Sequence, residues 1–211
     1  MSFCAIQDLQ GYYRLHAHLY DATRWSFLFG RQDLLRMAVA AMGRDSVRDV
    51  RILEVGCGTG RNLVSLAKLF PRARVTGLDL CAPMLRRAVS KAVRSRTARI
   101  RLVQAPYGLE AMPQESCDLV LFSYALSMFN PGLEQALDTA RQHLRPGGRV
   151  AVVDFRRTGV GLFQRWMALN HVRMDDHLLP VLRERFAPER EETRLAYAGL
   201  WEYCLFLGRK V

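Results

Sequence analysis

Short apolar segments alternate with helix-like segments along most of the chain. The segments VRILEV, ARVTGLDL, ARIRLVQA, CDLVLFSY and GRVAVVDF are rich in β-branched residues or leucine, and helical patterns separate them. Nearly continuous apolar strands joined by helices are typical of a parallel sheet that is covered by helices on both faces. The final segment, EETRLAYAGLWEYCLFLGRKV, has two strand-like runs around Gly199. The pattern therefore predicts an α/β fold with a C-terminal antiparallel hairpin.

Length and charge narrow the class of protein. With 211 residues, of which 50% are hydrophobic, the chain can bury one substantial core, so we expect one main domain with a small appendage. The formal net charge of +11 favours an anionic partner, either nucleic acid or an anionic membrane surface. The five cysteines lack metal-ligand spacing and indicate free thiols in a reducing cytoplasm. We find no signal-peptide pattern and no membrane-spanning run, so we expect any membrane contact to be peripheral.

The segment RILEVGCGTGRNL carries the strongest chemical signal in the chain. Gly56, Gly58 and Gly60 follow a predicted strand at two-residue spacing, and a helix is predicted to begin near Arg61. Glycines at such a turn allow a ligand to approach the backbone closely, although a purely structural turn would show the same pattern. The spacing fits neither the GxGxxG dinucleotide motif nor the P-loop.

An acidic residue, Asp79, ends the second predicted strand. A carboxylate at this place can accept hydrogen bonds from both hydroxyls of a ribose. It can also cap the helix that is predicted to begin at CAPMLRRA. The residues alone leave both roles open.

Four segments, LEVGCGTG, GLDLCAPML, CDLVLFSYALSM and LRPGGRVAVVDF, resemble in order and spacing the class I S-adenosylmethionine-dependent methyltransferases. The resemblance covers residues 48–156 and implies a Rossmann-like, seven-stranded, mostly parallel sheet that binds S-adenosylmethionine. It implies that the glycine loop surrounds the methionine part of the cofactor, that Asp79 holds its ribose, and that Ser123 lies below the sulfonium. Gln104 and Ala105 stand where such enzymes often carry an acidic residue near the adenine. The implied cofactor-binding residues are Glu54, Gly56, Cys57, Gly58, Gly60, Asp79, Leu80, Gln104, Ala105 and Ser123.

Two further features bear on the substrate. Between Asp79 and Glu110 the chain has a run of cations and no acid, which indicates either a solvated basic face or contact with an anionic surface. The stretch YYRLHAHLYDATRWSFLFGR places Tyr13 and Tyr20 on one face of a predicted helix. Core packing would explain this row of rings, and so would a lid that encloses a quaternary ammonium group by cation–π attraction. The scattered histidines predict no metal site.

The same opening stretch, with FSYALSM and FQRWMALNHVRMDDHLLP, also resembles bacterial diacylglyceryl-homoserine N-methyltransferases, which make a betaine lipid head group. This resemblance implies a membrane aminolipid substrate and a cytoplasmic protein that associates peripherally with an anionic membrane. Bacterial phosphatidylethanolamine N-methyltransferases are the alternative. An RNA methyltransferase and a non-catalytic cofactor-binding protein are further alternatives, although FSYALSM stands where a base-methylating enzyme would carry a motif such as NPPY. No nucleic-acid partner is therefore expected.

These resemblances lead to expectations for segments and single residues. Residues 1–45 are expected to form a helical lid or substrate segment, and residues 46–211 the cofactor-binding methyltransferase domain. The candidate catalytic residues are Tyr13, as a ring of the lid, and Tyr124 and His171, which are candidates to orient the amine or to take its proton. The candidate substrate-binding residues are Tyr12, Tyr20, Arg24 and Arg31.

Overall fold

The computed structural model describes residues 28–43, 49–96, 99–110 and 112–211. The helices among them are α1 (Arg31–Met42), α2 (Arg61–Leu69), α3 (Ala82–Arg94), α4 (Leu133–His143), α5 (Gly161–Leu169) and α6 (Leu178–Arg185). The strands are β1 (Arg51–Val55), β2 (Arg74–Asp79), β3 (Ile100–Gln104), β4 (Cys117–Ser123), β5 (Leu144–Arg157), β6 (Ala187–Ala196) and β7 (Trp201–Arg209). Every strand predicted from the apolar pattern is present.

The strands form one seven-stranded sheet in the order β3-β2-β1-β4-β5-β7-β6. The strands β1 to β5 run parallel to one another, whereas β7 is antiparallel to both of its neighbours. The strands β6 and β7 are the predicted hairpin, and a short 3-10 turn at Tyr197–Gly199 joins them. The predicted fold class is therefore confirmed. Because β1 to β5 are parallel, the segments that follow them meet at one edge of the sheet, which we call the carboxyl edge.

Each central strand is apolar on both sides, which explains why the sequence shows nearly unbroken apolar runs. In β4, Leu119 and Leu121 face the core beneath α1, α2 and α3, while Val120 and Phe122 face the core beneath α4 and α6. All four side chains are fully buried. This two-sided burial fixes the register of β4, because a shift by one residue would exchange the two packed faces.

Helix α1 belongs to the main core. Leu34, Leu35 and Ala38 are buried and pack in the same cluster as α2 and β5. The rest of the predicted lid, residues 1–27, lies outside the described residues, so the boundary at residue 45 stays a prediction. Among the helices that the structure describes, none is both long enough and apolar enough to span a membrane.

Candidate functional site

The glycine loop between β1 and α2 lies at the carboxyl edge. Gly56 has φ 69°, and a Cβ atom on it would lie 2.9 Å from Cβ of Ala125, so the loop packs directly on the turn that follows β4. Gly58 also has a positive φ, of 53°, but a Cβ atom there would have no neighbour within 4 Å. The loop therefore has one side held by protein and one side that faces open space, as a ligand cradle requires.

The Asp79 carboxylate ties this loop to the second strand. Its Oδ2 atom accepts a hydrogen bond from the backbone N–H of Gly58 at 2.7 Å, and its Oδ1 atom accepts one from the N–H of Cys81 at 2.8 Å. The second contact satisfies the N–H of Cys81, the residue directly before α3, so Asp79 supports the start of that helix without capping an N–H group inside it. The first contact holds the backbone of Gly58, at the open side of the glycine loop, in position. Each carboxylate oxygen can accept a further hydrogen bond, so a ribose role remains compatible with this geometry.

Glu54 lies beneath the glycine loop and is 2% exposed. Its Oε1 atom accepts a hydrogen bond from Nδ2 of Asn62 at 2.8 Å, while its buried Oε2 atom has no hydrogen-bond partner among the described residues. Burial raises the pKa of Glu54 to about 8, although the Asn62 contact and the nearby charge of Arg31 act in the opposite direction. A buried, incompletely satisfied carboxyl group beside an open cradle indicates a group shaped for a ligand.

The other predicted cofactor residues lie along the same edge. Gln104 ends β3 and pairs in register with Asp79, and Ala105 follows it. Leu80 follows β2 and is half-buried. The thiol of Cys57 is buried, and this burial raises its pKa well above the ordinary value. Ser123 ends β4, and its buried Oγ atom has no hydrogen-bond partner among the described residues. The structure thus brings the ten predicted residues to neighbouring strand ends, and their contact with a cofactor stays a prediction.

Tyr124 holds the start of α1 against the carboxyl edge. Its hydroxyl donates a hydrogen bond to the backbone carbonyl of Phe29 at 2.8 Å, and the residue is 4% exposed. Burial raises the pKa of Tyr124 well above its ordinary value, while the charge of Arg31 acts to lower it. Arg31, at the first position of α1, is therefore close enough to influence both Tyr124 and Glu54 electrostatically. The contacts give Tyr124 a positioning role, and its catalytic role stays a prediction.

The remaining predicted site residues are less well placed by the structure. His171 is exposed in the turn after α5, with φ 59°, and its proposed catalytic role stays a prediction. Tyr12, Tyr13, Tyr20 and Arg24 lie outside the described residues. No group of three or more histidine, cysteine, aspartate or glutamate side chains that could hold a metal ion occurs within the described ranges.

A cluster of aromatic rings lies at the carboxyl edge, where β5 ends and β7 begins. We call it the aromatic wall, and its members are Phe29, Phe155, Phe163, Tyr197, Trp201 and Tyr203. Trp201 is fully buried at its centre, with the ring of Phe163 stacked on it at 5.4 Å and the ring of Tyr197 at 5.0 Å. Phe29 and Tyr197 remain 39% and 53% exposed, so they present ring surface at the outer side of the wall.

Most of the aromatic wall escaped the sequence analysis, because its members are far apart in the chain. Phe155 lies near the end of β5 and pairs with Tyr203 of the antiparallel strand β7. Antiparallel pairing brings the start of β7, with Trp201, to the edge where β5 ends. The one usable signal is that a ring ends the segment VVDF and that two rings lie in GLWEY, and these segments are neighbours only once the strand order is known.

A buried carboxyl group supports the turn between the loop and the wall. Asp154 is fully buried near the end of β5. Its Oδ2 atom accepts a hydrogen bond from the N–H of Ser127 at 3.1 Å, and its Oδ1 atom accepts one from the N–H of Phe155 at 2.8 Å. Burial raises the pKa of Asp154 to about 6, against the effect of these hydrogen bonds. The sequence analysis gave no role to this residue, which fixes the turn after β4.

A family model described as a methyltransferase domain matches residues 52–148. The chain is 36% identical over 105 residues to the ubiquinone/menaquinone biosynthesis C-methyltransferase of Syntrophotalea carbinolica, and this alignment covers 50% of this chain and 44% of that protein. It is 29% identical over 171 residues to the 2-phytyl-1,4-naphtoquinone methyltransferase of Synechocystis sp., which covers 79% of this chain and 71% of that protein. The chain thus spans less than half the length of the first of these relatives.

Solved structures agree with the fold. The 1,6-didemethyltoxoflavin-N1-methyltransferase of Burkholderia thailandensis, with 1,6-didemethyltoxoflavin and S-adenosylhomocysteine bound, has a TM-score of 0.75 at 21% identity and covers 99% of this chain and 89% of that chain. The N-methyltransferase NodS of Bradyrhizobium japonicum, in complex with S-adenosylhomocysteine, has a TM-score of 0.69 at 20% identity, with 85% of each chain covered. At these identities the likeness concerns the fold alone.

The glycine loop, the acid at the end of β2 and the sheet order agree with one class of protein. The methyltransferase-domain model matches just under half of the chain, and the sheet order is that of the Rossmann-like fold of the class I S-adenosylmethionine-dependent methyltransferases, which the sequence resembles. The matched relatives include C-, O- and N-methyltransferases, so the class does not specify the atom that accepts the methyl group.

Proposed function

We propose that this chain transfers a methyl group from S-adenosylmethionine to a small molecule that is held against the aromatic wall. One observation carries the proposal: the glycine loop and the aromatic wall both lie at the carboxyl edge, and the turn after β4 contacts each of them. Ala125 of this turn packs against Gly56, and the ring of Tyr124 packs against that of Phe155 at 4.7 Å. S-adenosylmethionine, the predicted donor, is confirmed as the cofactor of this class, since related structures contain its product S-adenosylhomocysteine.

The residues at the carboxyl edge fit such a donor. Asp79 presents carboxylate oxygens at the end of β2, and the open side of Gly58 leaves room for a ligand against the backbone. The buried Oε2 atom of Glu54 and the buried Oγ atom of Ser123 are polar atoms that lack hydrogen-bond partners among the described residues. When bound, the cofactor supplies a methyl group on a sulfonium. The task left to the protein is to align the acceptor with that methyl group and to exclude water.

The acceptor that we favour is the amine of a membrane aminolipid. Exposed ring faces such as those of Phe29 and Tyr197 attract ammonium groups by cation–π interaction, and the attraction persists when the nitrogen becomes fully methylated. In its most specific form the proposal is successive N-methylation of diacylglyceryl-homoserine to the trimethylated betaine lipid. Phosphatidylethanolamine is the alternative aminolipid. Peripheral association with an anionic membrane at its cytoplasmic side belongs to the same proposal and agrees with the net charge of +11.

A second candidate function is C-methylation of a quinone-type ring. The observation that favours it is the long match to the 2-phytyl-1,4-naphtoquinone methyltransferase, which extends over 79% of this chain. An aromatic wall would also stack against a flat ring. The two candidates share the donor site and differ in the acceptor.

The deciding experiment offers donor with a labelled methyl group and three acceptors in detergent: diacylglyceryl-homoserine, phosphatidylethanolamine and a demethylated quinol. We expect label in the first, as a series of mono-, di- and trimethylated lipid seen by mass spectrometry. Label only in the quinol would establish the second candidate. Label in none of the three, by a protein that binds S-adenosylhomocysteine, would refute the choice of acceptor.

A pair of variants tests the part of the aromatic wall in this reaction. Tyr197→Leu removes a ring that is 53% exposed, and Leu195→Ala, at a site that is 67% exposed, is the matched control. We expect the first to raise KM for the amine by about tenfold, equivalent to about 1.4 kcal/mol, and the second to leave KM unchanged. Affinity for S-adenosylhomocysteine should be the same in both variants. Equal KM values in the two variants would remove the wall from amine binding.

A further inference from the structure

We propose that the outer face of α5, formed by Leu162, Trp166 and Leu169, inserts into the surface of an anionic lipid bilayer. The inference deepens the proposed function by naming the surface from which the substrate is reached, and it rests on that function for the choice of a bilayer as the partner. Of these three side chains, Trp166 contacts the aromatic wall through the ring of Phe163, at 5.8 Å, while the two leucines take no part in the donor site or the wall as we define them. Their exposure and their position on the helix carry the argument.

The inner face of α5 is firmly held. The ring of Phe163 stacks on Trp201 at 5.4 Å with an angle of 15° between the ring planes, and Met167 is 4% exposed in the main core. The turn that follows the helix closes back on it, since the N–H of Val172 donates a hydrogen bond to the carbonyl of Met167 at 3.0 Å. These contacts fix the rotation of the helix about its axis. The side chains of Leu162, Trp166 and Leu169 are therefore held on the outside of the protein.

The outer face is more apolar than an aqueous surface normally is. Leu162 and Leu169 are both 80% exposed, more than any other large apolar side chain that the structure describes, and Trp166 is 49% exposed. The three residues are spaced i, i+4 and i+7, so they form a single stripe along the helix. A contiguous apolar stripe of this kind marks a surface that is shared with another phase or partner.

The charges on α5 favour an anionic bilayer over an apolar protein surface. The helix, GLFQRWMAL, contains no acidic residue, and its one cation, Arg165, is exposed and makes no ion pair with another described residue. Helices that lie in the membrane interface combine leucines below the head groups, a tryptophan at the level of the head groups and a cation beside the lipid phosphates. The stripe Leu162, Trp166 and Leu169 beside Arg165 has this composition, and the net charge of +11 adds attraction.

Insertion of α5 would bring the aromatic wall to the membrane surface. Phe163, on the inner face of the helix, is a member of the wall, so the two faces of one helix would contact the lipid phase and line the acceptor site. A lipid head group could then enter the site while its acyl chains stay in the bilayer. The helix is nine residues long, which is too short to span a bilayer, so contact with the membrane would place it in the interface.

Vesicle sedimentation tests the inference. Binding is measured with vesicles of phosphatidylglycerol and phosphatidylcholine in equal amounts and with phosphatidylcholine alone, in the absence of donor and acceptor. We expect stronger binding to the anionic vesicles, and an approximately tenfold or larger loss of this binding in the double variant Leu162→Ser/Leu169→Ser. The matched control is Leu109→Ser, at a leucine that is 77% exposed in the loop after β3, and its binding should equal that of the wild type. Equal binding by all three proteins would overturn the inference.

A second measurement reports insertion directly. Lipids that carry bromine on their acyl chains quench tryptophans that enter the bilayer. We expect quenching of the wild type and a marked decrease of it in Trp166→Phe, which retains the other two tryptophans. Quenching as strong in Trp166→Phe as in the wild type would contradict insertion of this face.

Other occupants of the outer face predict different results. A lower Tm of the double variant in lipid-free solution, relative to Leu109→Ser, would show that the face is covered by another segment of the chain. A change from dimer to monomer in sedimentation velocity would show that a second copy covers it. Either result, with unchanged vesicle binding, would overturn the inference. The double variant should keep its affinity for S-adenosylhomocysteine and its activity on detergent-dispersed acceptor, so loss of membrane binding is distinguishable from failure of the proposed function.

Discussion

Two alanine substitutions in the glycine loop distinguish a glycine that leaves room for the ligand from a glycine that packs against the protein. Gly56 and Gly58 both have positive φ values, 69° and 53°, so alanine at either position costs about 1–2 kcal/mol of backbone strain. Only at position 56 would the new Cβ atom meet a protein atom closely, 2.9 Å from Cβ of Ala125. Overpacking of this kind adds about 1–3 kcal/mol to the loss of stability. At position 58 the added atom enters open space.

The two variants should therefore fail in different ways. We expect Gly58→Ala to lose about 1–2 kcal/mol of unfolding free energy, which is the strain alone, and to bind S-adenosylhomocysteine at least about tenfold more weakly, a loss of 1.4 kcal/mol or more. We expect Gly56→Ala to lose about 2–5 kcal/mol of unfolding free energy, the sum of strain and overpacking. Denaturant unfolding measures the first quantity, and calorimetry on the folded protein measures the second.

Two results would refute this reasoning. Unchanged affinity for S-adenosylhomocysteine in folded Gly58→Ala would mean that the ligand does not approach the open side of the loop. Equal stability of the two variants would mean that the turn after β4 moves away from Gly56 without cost. The second result would also weaken the link between the cofactor loop and the aromatic wall, because that link depends on the contact with Ala125.

Two further variants test single groups at the carboxyl edge. Because burial raises the pKa of Glu54 to about 8, the folded state retains a proton that the unfolded state releases near pH 4.5, so this group lowers stability progressively as pH rises from about 4.5 to about 8. Glu54→Gln should flatten that part of the profile of stability against pH, measured by urea unfolding. An unchanged profile would refute the assignment. Tyr124→Phe removes the hydroxyl that donates to the carbonyl of Phe29, so it should lower the free energy of unfolding by about 1–2 kcal/mol and reduce kcat less than about tenfold. Unchanged stability with kcat reduced more than about a hundredfold would indicate direct catalysis by Tyr124.

The sheet and the cofactor loop could be predicted from sequence because their signals are local. Each central strand is buried on both faces and is therefore apolar throughout, as Leu119 to Phe122 show. The conformation of the loop at Gly56 and Gly58 is likewise predicted by glycines that lie between a strand and a helix. Asp79 shows the limit of such signals, since its residue type fits a helix cap and a ribose contact equally, and the structure shows contacts to the N–H groups of Gly58 and Cys81.

The aromatic wall could not be predicted in the same way, because strand order and register create it. Phe155 and Tyr203 are far apart in the chain and become direct neighbours only when β7 inserts between β5 and β6 in antiparallel orientation. Asp154 is a similar case. It is an acidic residue within an apolar run, and the sequence does not predict that it accepts a hydrogen bond from the N–H of Ser127 in the turn after β4.

The family match and the aromatic wall occupy different parts of the chain. The matched segment, residues 52–148, contains the glycine loop, Asp79 and Ser123, so the kinship concerns the half of the site that we assign to the donor. The six members of the wall all lie outside this segment, on either side of it. Relatives that share the donor half can therefore carry different walls, which agrees with their range of C-, O- and N-methyl acceptors. The choice of acceptor by this chain is to be sought in residues such as Phe29 and Tyr197, which present exposed rings at the outer side of the wall, and variants of these two residues should change that choice while the affinity for the donor is preserved.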